Sequence, residues 1–318
     1  MSKNSLEFEK PIDDLLHQIK KYEDLSSGGK DYKAELQRLR KKLAKVEKEV
    51  FGSLTPWQKT QLARHPDRPY PVDYFNMMLD DFVELHGDRR FAEDYAIIGG
   101  MGMLEGRPVM IIGNQKGRDT KQKIKYNFGM ANPEGYRKSL RLMKLAEKFG
   151  KPVITIIDTP GAYPGIGAEE RGQSQAIAEN LMEMAHLQVP IIAIVTGEGG
   201  SGGALALGMG DRVLMLENSV YSVISPESCA AILWRDASKA ADAAEPLRLT
   251  AQDAYSFKII DSIIPEPTGG AHRDGKAEAT VLKTAIKKHL EELDRFSIDE
   301  LLENRYNKYR RIGVYEEQ

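Results

Sequence analysis

The chain has 318 residues, with 45 Lys+Arg against 47 Asp+Glu and a formal net charge of −2. That length suits one large domain or two small ones, and 41% hydrophobic with 29% charged residues excludes wholesale disorder. The near-neutral balance excludes a global basic field for nucleic acid, so no direct nucleic-acid binding is expected. The single cysteine, Cys229, excludes an intrachain disulfide and a cysteine-rich zinc site, and no metal is expected in this chain. The polar start lacks the apolar core of a signal peptide. The longest apolar runs, such as residues 190–195, fall far short of the ~20 residues of a membrane span. A cytoplasmic protein without a membrane segment is the expectation.

Two seam-type stripes open the chain. Ile12, Leu15, Ile19 and Tyr22 form one, and Leu36, Leu39, Leu43, Val46 and Val50 the other. Ser26, Ser27, Gly28 and Gly29 lie between them and read as a turn. The expectation is a helical hairpin over 1–52, a proline-rich connector over 53–73 and one large domain over 74–318. The hairpin's narrow apolar face suits either its own body or another subunit.

Residues 74–85 return to helical periodicity. Apolar segments at 96–103 and 108–113 flank Glu105-Gly106, the signal of a β-hairpin. A polar loop holding Lys116, Arg118, Lys121, Lys123 and Lys125 follows. It reads as a solvated loop, or as a contact for phosphates or carrier acids. A helix is expected over 133–149. Then two similar units come in succession. The run 152–157 ends in Asp158-Thr159-Pro160-Gly161-Ala162-Tyr163-Pro164-Gly165 and a helix reaching about His186, opened by Glu169, Glu170 and Arg171. The run 190–196 ends in Gly197-Glu198-Gly199-Gly200-Ser201-Gly202-Gly203, with a helix from Ala204. Strands near 212–216 and 220–224 and a helical, charged tail from Gly275 complete the chain. Strand, glycine loop and helix, twice over, specify α/β architecture with parallel strands, and ligands sit at the carboxyl ends of such strands.

Five of the seven residues from Gly197 to Gly203 are glycine. A loop of this kind feeding a helix start offers unpaired N–H groups and a positive dipole end, which suit an anion or a developing oxyanion. A Walker loop is excluded, because no Lys-Ser or Lys-Thr follows. Gly197, Gly199 and Gly202 match a dinucleotide fingerprint, with Glu217 placed for a ribose. Ser201 sits in a G-x-S-x-G pattern, and Asp253 or Asp261 with His272 would complete a hydrolase triad in chain order. His186 is a further candidate base. The residues alone leave these readings open.

A resemblance narrows them. The stretches Gln61 to Pro66, Gly106 to Gly113, Asn127 to Met130, Ile157 to Gly165, Gly167 to Ser174, Gly197 to Ala204, Tyr221 to Glu227 and Ile260 to Pro267 resemble the alpha-subunit family of the bacterial acetyl-CoA carboxylase carboxyltransferases. The likeness runs from about Phe8 to Tyr309. It implies a crotonase/ClpP-like α/β fold of repeated ββα units, carrying the N-terminal helical hairpin and C-terminal helices. The implied reaction moves a carboxyl group from carboxybiotin, on a biotin carboxyl carrier protein, to acetyl-CoA. The product would be malonyl-CoA, for fatty acid synthesis. Implied partners are a zinc-ribbon beta subunit in an α2β2 assembly, the carrier protein and a biotin carboxylase. By the same resemblance Gly202 and Gly203 are assigned to an oxyanion hole. Gly199, Gly200, Ser201, Gly161, Ala162, Tyr163 and Gly165 are expected to line the substrate site. The alpha hole is expected to face biotin, with CoA held mainly by beta. Ser201 is then a small loop residue and not a nucleophile.

Overall fold

The computed structural model describes residues 4–27 and 31–313. The two N-terminal stripes form helices α1 (Lys10–Ser27) and α2 (Lys33–Phe51). They pack seam to seam through Leu15, Ile19 and Leu39, with Tyr22, Leu36, Leu43 and Val46 around them. Ser26 and Ser27 belong to α1, and Gly28 and Gly29 lie outside the described residues.

The expected connector contains a helix, α3 (Pro56–Ala63), and leads into α4 (Pro71–Met78). Both begin with proline at the first helical position, where its missing N–H costs nothing. Thr55 and Gln58 close a reciprocal capping box on α3. The helical pattern expected through residue 85 stops at α4. Asp80–Glu84 is strand β1, paired antiparallel with β2 (Ile97–Leu104) through Val83 opposite Met101. Its partner lies far along the chain, so local periodicity gives no sign of it.

β2 and β3 (Arg107–Asn114) form the expected hairpin, closing with Leu104 opposite Arg107. Glu105 and Gly106 have φ of 49° and 81°, the paired positive values of a turn that matches strand twist. The polar loop contains a short helix, α5 (Thr120–Lys125), capped by Asp119. After α6 (Pro133–Lys148) come β4 (Val153–Thr159), α7 (Ile166–Glu170) and α8 (Gln173–His186). The single helix expected to His186 is two, broken at Gly172 with φ of 83°. Glu169 lies in the first turn of the five-residue α7, Glu170 ends it, and Arg171 follows it. Next are β5 (Ile191–Gly200), α9 (Ser201–Gly208), β6 (Arg212–Leu216) and β7 (Val220–Ser222). The remainder is α10 (Pro226–Trp234), α11 (Ala240–Leu247), α12 (Ala251–Ser256), β8 (Ser262–Ile264), α13 (Gly275–Leu293) and α14 (Ile298–Arg310).

Among the described residues the strands form one sheet in the order β1-β2-β3-β4-β5-β6-β8, with β7 pairing the far end of β5. From β3 onward neighbours run parallel. Burial on both faces explains the β-branched runs Val153 to Ile157 and Ile191 to Val195. One face is covered by residues of α6, α8, α9 and α12, the other by α4 and α13. Among the described residues no helix is long and apolar enough to cross a membrane.

One buried acid is placed against this pattern. Glu278 on α13 is fully buried, and neither carboxyl oxygen has a hydrogen-bond partner. Burial, with the Glu266 carboxylate nearby, pushes its pKa up to about 8 from 4.5. The folded chain therefore holds this proton at pH 7, where the unfolded chain has lost it. Stability falls as pH rises from about 4.5 through 8. Glu278→Gln removes that dependence and should gain about 3 kcal/mol at pH 7. Urea unfolding at pH 5 and pH 8 checks it: the variants should match at the lower pH and diverge at the higher.

Candidate active site

The C-terminal ends of β4 and β5 lie side by side, so both glycine segments meet at one edge of the sheet. The second segment is not a loop. β5 continues through Gly200, and α9 starts directly at Ser201. A Cβ at Gly197 would sit 2.5 Å from Asp158 Oδ1, and one at Gly199 would sit 2.9 Å from the Tyr221 ring. A Cβ at Gly200 would enter the Pro160 carbonyl. Gly197, Gly199 and Gly200 are therefore glycine because neighbouring chain segments press on them.

Gly203 is held by the other segment. A Cβ there would lie 2.5 Å from Gly161 C and 2.6 Å from Ala162 N. The start of α9 thus rests on the Gly161–Ala162 peptide. Among the described residues, no acceptor takes the N–H groups of Ala162, Gly202 or Gly203. Gly202 is open by contrast, since a Cβ would meet only Ile177, at 3.4 Å. Gly161 has φ of 152°, and Thr159 Oγ1 accepts its N–H at 3.1 Å while lying 2.7 Å from Gly129 O. Tyr163 donates its N–H to Ala131 O, and its ring packs over Gly165, the residue before α7. The structure thus brings Gly161, Ala162, Gly202 and Gly203 together, with Ser201 beside them. Tyr163 and Gly165 continue the first segment.

A charged lattice backs this edge. Lys116 Nζ donates to Asp158 Oδ1 at 2.7 Å and to Glu198 Oε2 at 3.0 Å. Arg64 Nε donates to Glu198 Oε1 at 2.6 Å, and its Nη1 donates to Glu227. Asp158 Oδ1 also accepts the Glu198 N–H at 3.0 Å. Burial would raise the Glu198 pKa, but the Lys116 and Arg64 charges outweigh it and hold the carboxyl below its usual range. Burial likewise disfavours the Lys116 ammonium, and the two carboxylates more than reverse that. The expected basic loop therefore divides. Lys116 turns inward, Arg118 donates to Asp73 and the Pro66 carbonyl, and Lys121, Lys123 and Lys125 stay exposed.

The model of the acetyl co-enzyme A carboxylase carboxyltransferase-like family matches residues 5–313. The chain is 57% identical to the acetyl-coenzyme A carboxylase carboxyl transferase subunit alpha of Geobacter metallireducens, over 99% of both chains. It is also 57% identical to the protein of the same name in Xanthomonas campestris pv. campestris, again over 99% of both. The chain belongs to this family. It is a carboxyltransferase, the alpha subunit of an acetyl-CoA carboxylase. Among solved structures it resembles transcarboxylase 12S with a TM-score of 0.54 at 18% identity, covering 68% of this chain and 41% of that one. The geranyl-CoA carboxylase beta subunit of P. aeruginosa gives 0.54 at 17% identity, covering 74% and 44%. Those likenesses establish the crotonase-like fold.

The alternative readings find no support in the geometry. Ser201 has φ of 52°, and no described residue hydrogen-bonds its hydroxyl. His272 is bound to Glu9, His186 to Met182 O, Asp253 caps α12, and Asp261 accepts from Val213 N–H and Lys308. Glu217 accepts the Glu266 N–H and is no free ribose ligand. Glu9, His65 and His272 do bring candidate metal ligands within 4.8 Å of one another. Most of their polar atoms are engaged, and the buried His272 Nδ1 is without a hydrogen-bond partner among the described residues. Glu9 Oε1 accepts from His272 at 3.0 Å and Arg273 at 2.8 Å. His65 accepts the Asp67 N–H and faces Asn4 O. A cation there would also meet the Arg273 guanidinium. The cluster fastens the N-terminal segment to the body.

Of the charged lattice the sequence singles out Lys116 alone, as a contact for phosphates or carrier acids, and gives Arg64, Asp158 and Glu198 no role. Glu198, alone among glycines, was the available signal.

Proposed function

We propose that the N–H groups of Gly203, Gly202 and Ala162 form an oxyanion hole for carboxyl transfer from a biotin-linked donor to acetyl-CoA. The observation that carries this is the set of unclaimed donors where α9 meets the Gly161–Ala162 peptide. They lie at the positive end of a helix, so they suit an oxygen that gains negative charge during reaction. Carboxybiotin, carried on a partner protein, supplies the carboxyl group when it is bound. This chain orients the acceptor oxygen, supplies fixed dipoles and needs no reorganisation as charge develops. Ser201 closes the turn and takes no part as a nucleophile. The partners that fit this reading are a zinc-ribbon beta subunit in an α2β2 assembly, the biotin carboxyl carrier protein and biotin carboxylase. The division into a hairpin over 1–52, a connector over 53–73 and a domain over 74–318 accompanies the same reading, although α4 spans the second boundary and Arg64 of the connector reaches Glu198 behind the site.

Ser201→Ala tests it. With the beta subunit and a biotin donor present, malonyl-CoA formation should stay near the wild-type rate. The isolated chain should hydrolyse no thioester or ester in either form. Serine-dependent hydrolysis by the chain alone, lost in the variant, would overturn the reading. Mass spectrometry of the gently purified native complex should show a stoichiometric partner with a four-cysteine zinc motif.

A further inference from the structure

The strand end Gly197–Gly200 has a single side chain with which to hold itself, that of Glu198. Glycine has the most backbone freedom to lose, so three glycines around one residue make a segment that its own chain does not fix. Glu198 is gripped at every polar point. Oε2 accepts from Lys116, Oε1 from Arg64, and the N–H donates to Asp158 Oδ1. Lys116 also bonds Asp158, so one ammonium straddles the ends of both strands. Asp158 in turn precedes Thr159, whose hydroxyl holds the Gly161 N–H. The stem of Lys116 packs on Gly129, whose carbonyl lies against the same hydroxyl.

The geometry points to Lys116, Glu198 and Arg64 as positioning residues that set the relative placement of the Ala162 and Gly203 N–H groups. This rests on the oxyanion-hole reading above. One donor follows the end of β4 and the other follows the end of β5. Sliding either strand end past the other changes the space between the donors. Desolvation offsets much of the attraction within a buried ion lattice, so stability alone is a poor reason for one. A lattice of this kind supplies fixed direction, which donors aimed at a developing charge require.

The test uses the assembled enzyme with its partner subunit and a biotin donor. Glu198→Gln keeps the shape and one acceptor but loses the charge that holds Lys116 and Arg64. At a temperature well below unfolding, kcat should fall about 10- to 100-fold, the scale of a misplacement near 1 Å. KM for acetyl-CoA should hold. The factor should be the same at every pH from about 6 to 9, because Glu198 is ionised throughout that range. Arg64→Lys keeps the charge and loses the planar fork, so its kcat should fall by a smaller factor with the same KM. Arg64 is partly exposed, and this variant carries the test if Glu198→Gln does not fold. An unchanged kcat in a folded variant overturns the inference and leaves the lattice purely structural. A pH profile of altered shape also overturns it, because Glu198 would then be moving a proton. Failure of the wild-type complex to transfer carboxyl groups would overturn the oxyanion-hole reading itself, and no variant is needed to see that.

Discussion

Gly203→Ala lowers the rate of carboxyl transfer by about 10²–10³-fold in the assembled enzyme, the cost of losing one oxyanion donor. The cause is steric. The new methyl would sit 2.5 Å from Gly161 C and 2.6 Å from Ala162 N, both backbone atoms that cannot rotate away. The start of α9 and the Gly161–Ala162 peptide must separate, and the donors no longer converge. The change is local to one helix start, but it presses backbone on backbone, so some loss of stability accompanies it. Bulkier residues at the same position would disturb the fold as well as the site, which makes alanine the informative choice. Gly202→Ala is the control for size. Its methyl meets only the end of the Ile177 side chain, at 3.4 Å, so both variants keep their N–H but only Gly203→Ala displaces it. Steady-state transfer assays on both variants, with circular dichroism and partner binding, read the difference. A Gly203→Ala enzyme with wild-type turnover would remove Gly203 from the site.

Arg305→Ala destabilises the chain by about 3–5 kcal/mol, the usual cost of breaking a buried charge pair. Arg305 on α14 is buried, with only 1% of its surface exposed. Its guanidinium makes paired bonds to Asp211, both at 2.8 Å, and donates to the carbonyls of Met184, Leu187 and Val189. Asp211 also accepts the Ile191 N–H at 2.7 Å, where β5 begins. One side chain therefore satisfies the end of α8, the entry to β5 and a buried carboxylate. Its removal strands the Asp211 charge and three carbonyls together. Leu301 is the other buried residue of α14, and at its end Tyr309 and Lys308 bond Gly210 and Asp261. Arg305→Lys should fail to rescue, because a single ammonium cannot match the planar fork. Urea unfolding measures the loss, and limited proteolysis should show cleavage within α14 first. Wild-type stability in Arg305→Ala would show that α14 is held by other contacts.

These two positions differ in how far the sequence discloses them. Glycines in a strand-to-helix transition announce themselves, and the family motif marks Gly203 as a candidate donor without reference to any contact. Arg305 lies in a charged tail that reads as solvated. Its partner Asp211 is 94 residues away, and nothing in the local pattern separates it from exposed arginines beside it. The lattice behind the site was hidden for the same reason. Lys116 meets its acids across 42 and 82 residues, and Arg64 meets Glu198 across 134. β1 carries a helical period in the sequence, and only its pairing with β2 makes it a strand. The expected connector hid α3, although Thr55 and Gln58 were a capping signal in plain view.

The sequence by itself determined the two N-terminal helices, the β2–β3 hairpin, the buried strands β4 and β5, and a helix after the glycine cluster, which it starts at Ala204 and the structure at Ser201. Each follows from a pattern within a few residues: a seam of leucines, a Glu-Gly turn, a β-branched run, a cluster of glycines. Tertiary structure alone decided which glycines press against neighbouring chain and which stay open, which cation of the Lys116–Lys125 loop turns inward, and what holds the glycine segments in register. Backbone propensity and hydrophobic period act over one or two turns of chain. Charge pairing and close packing act through space, between residues that only the folded sheet brings together.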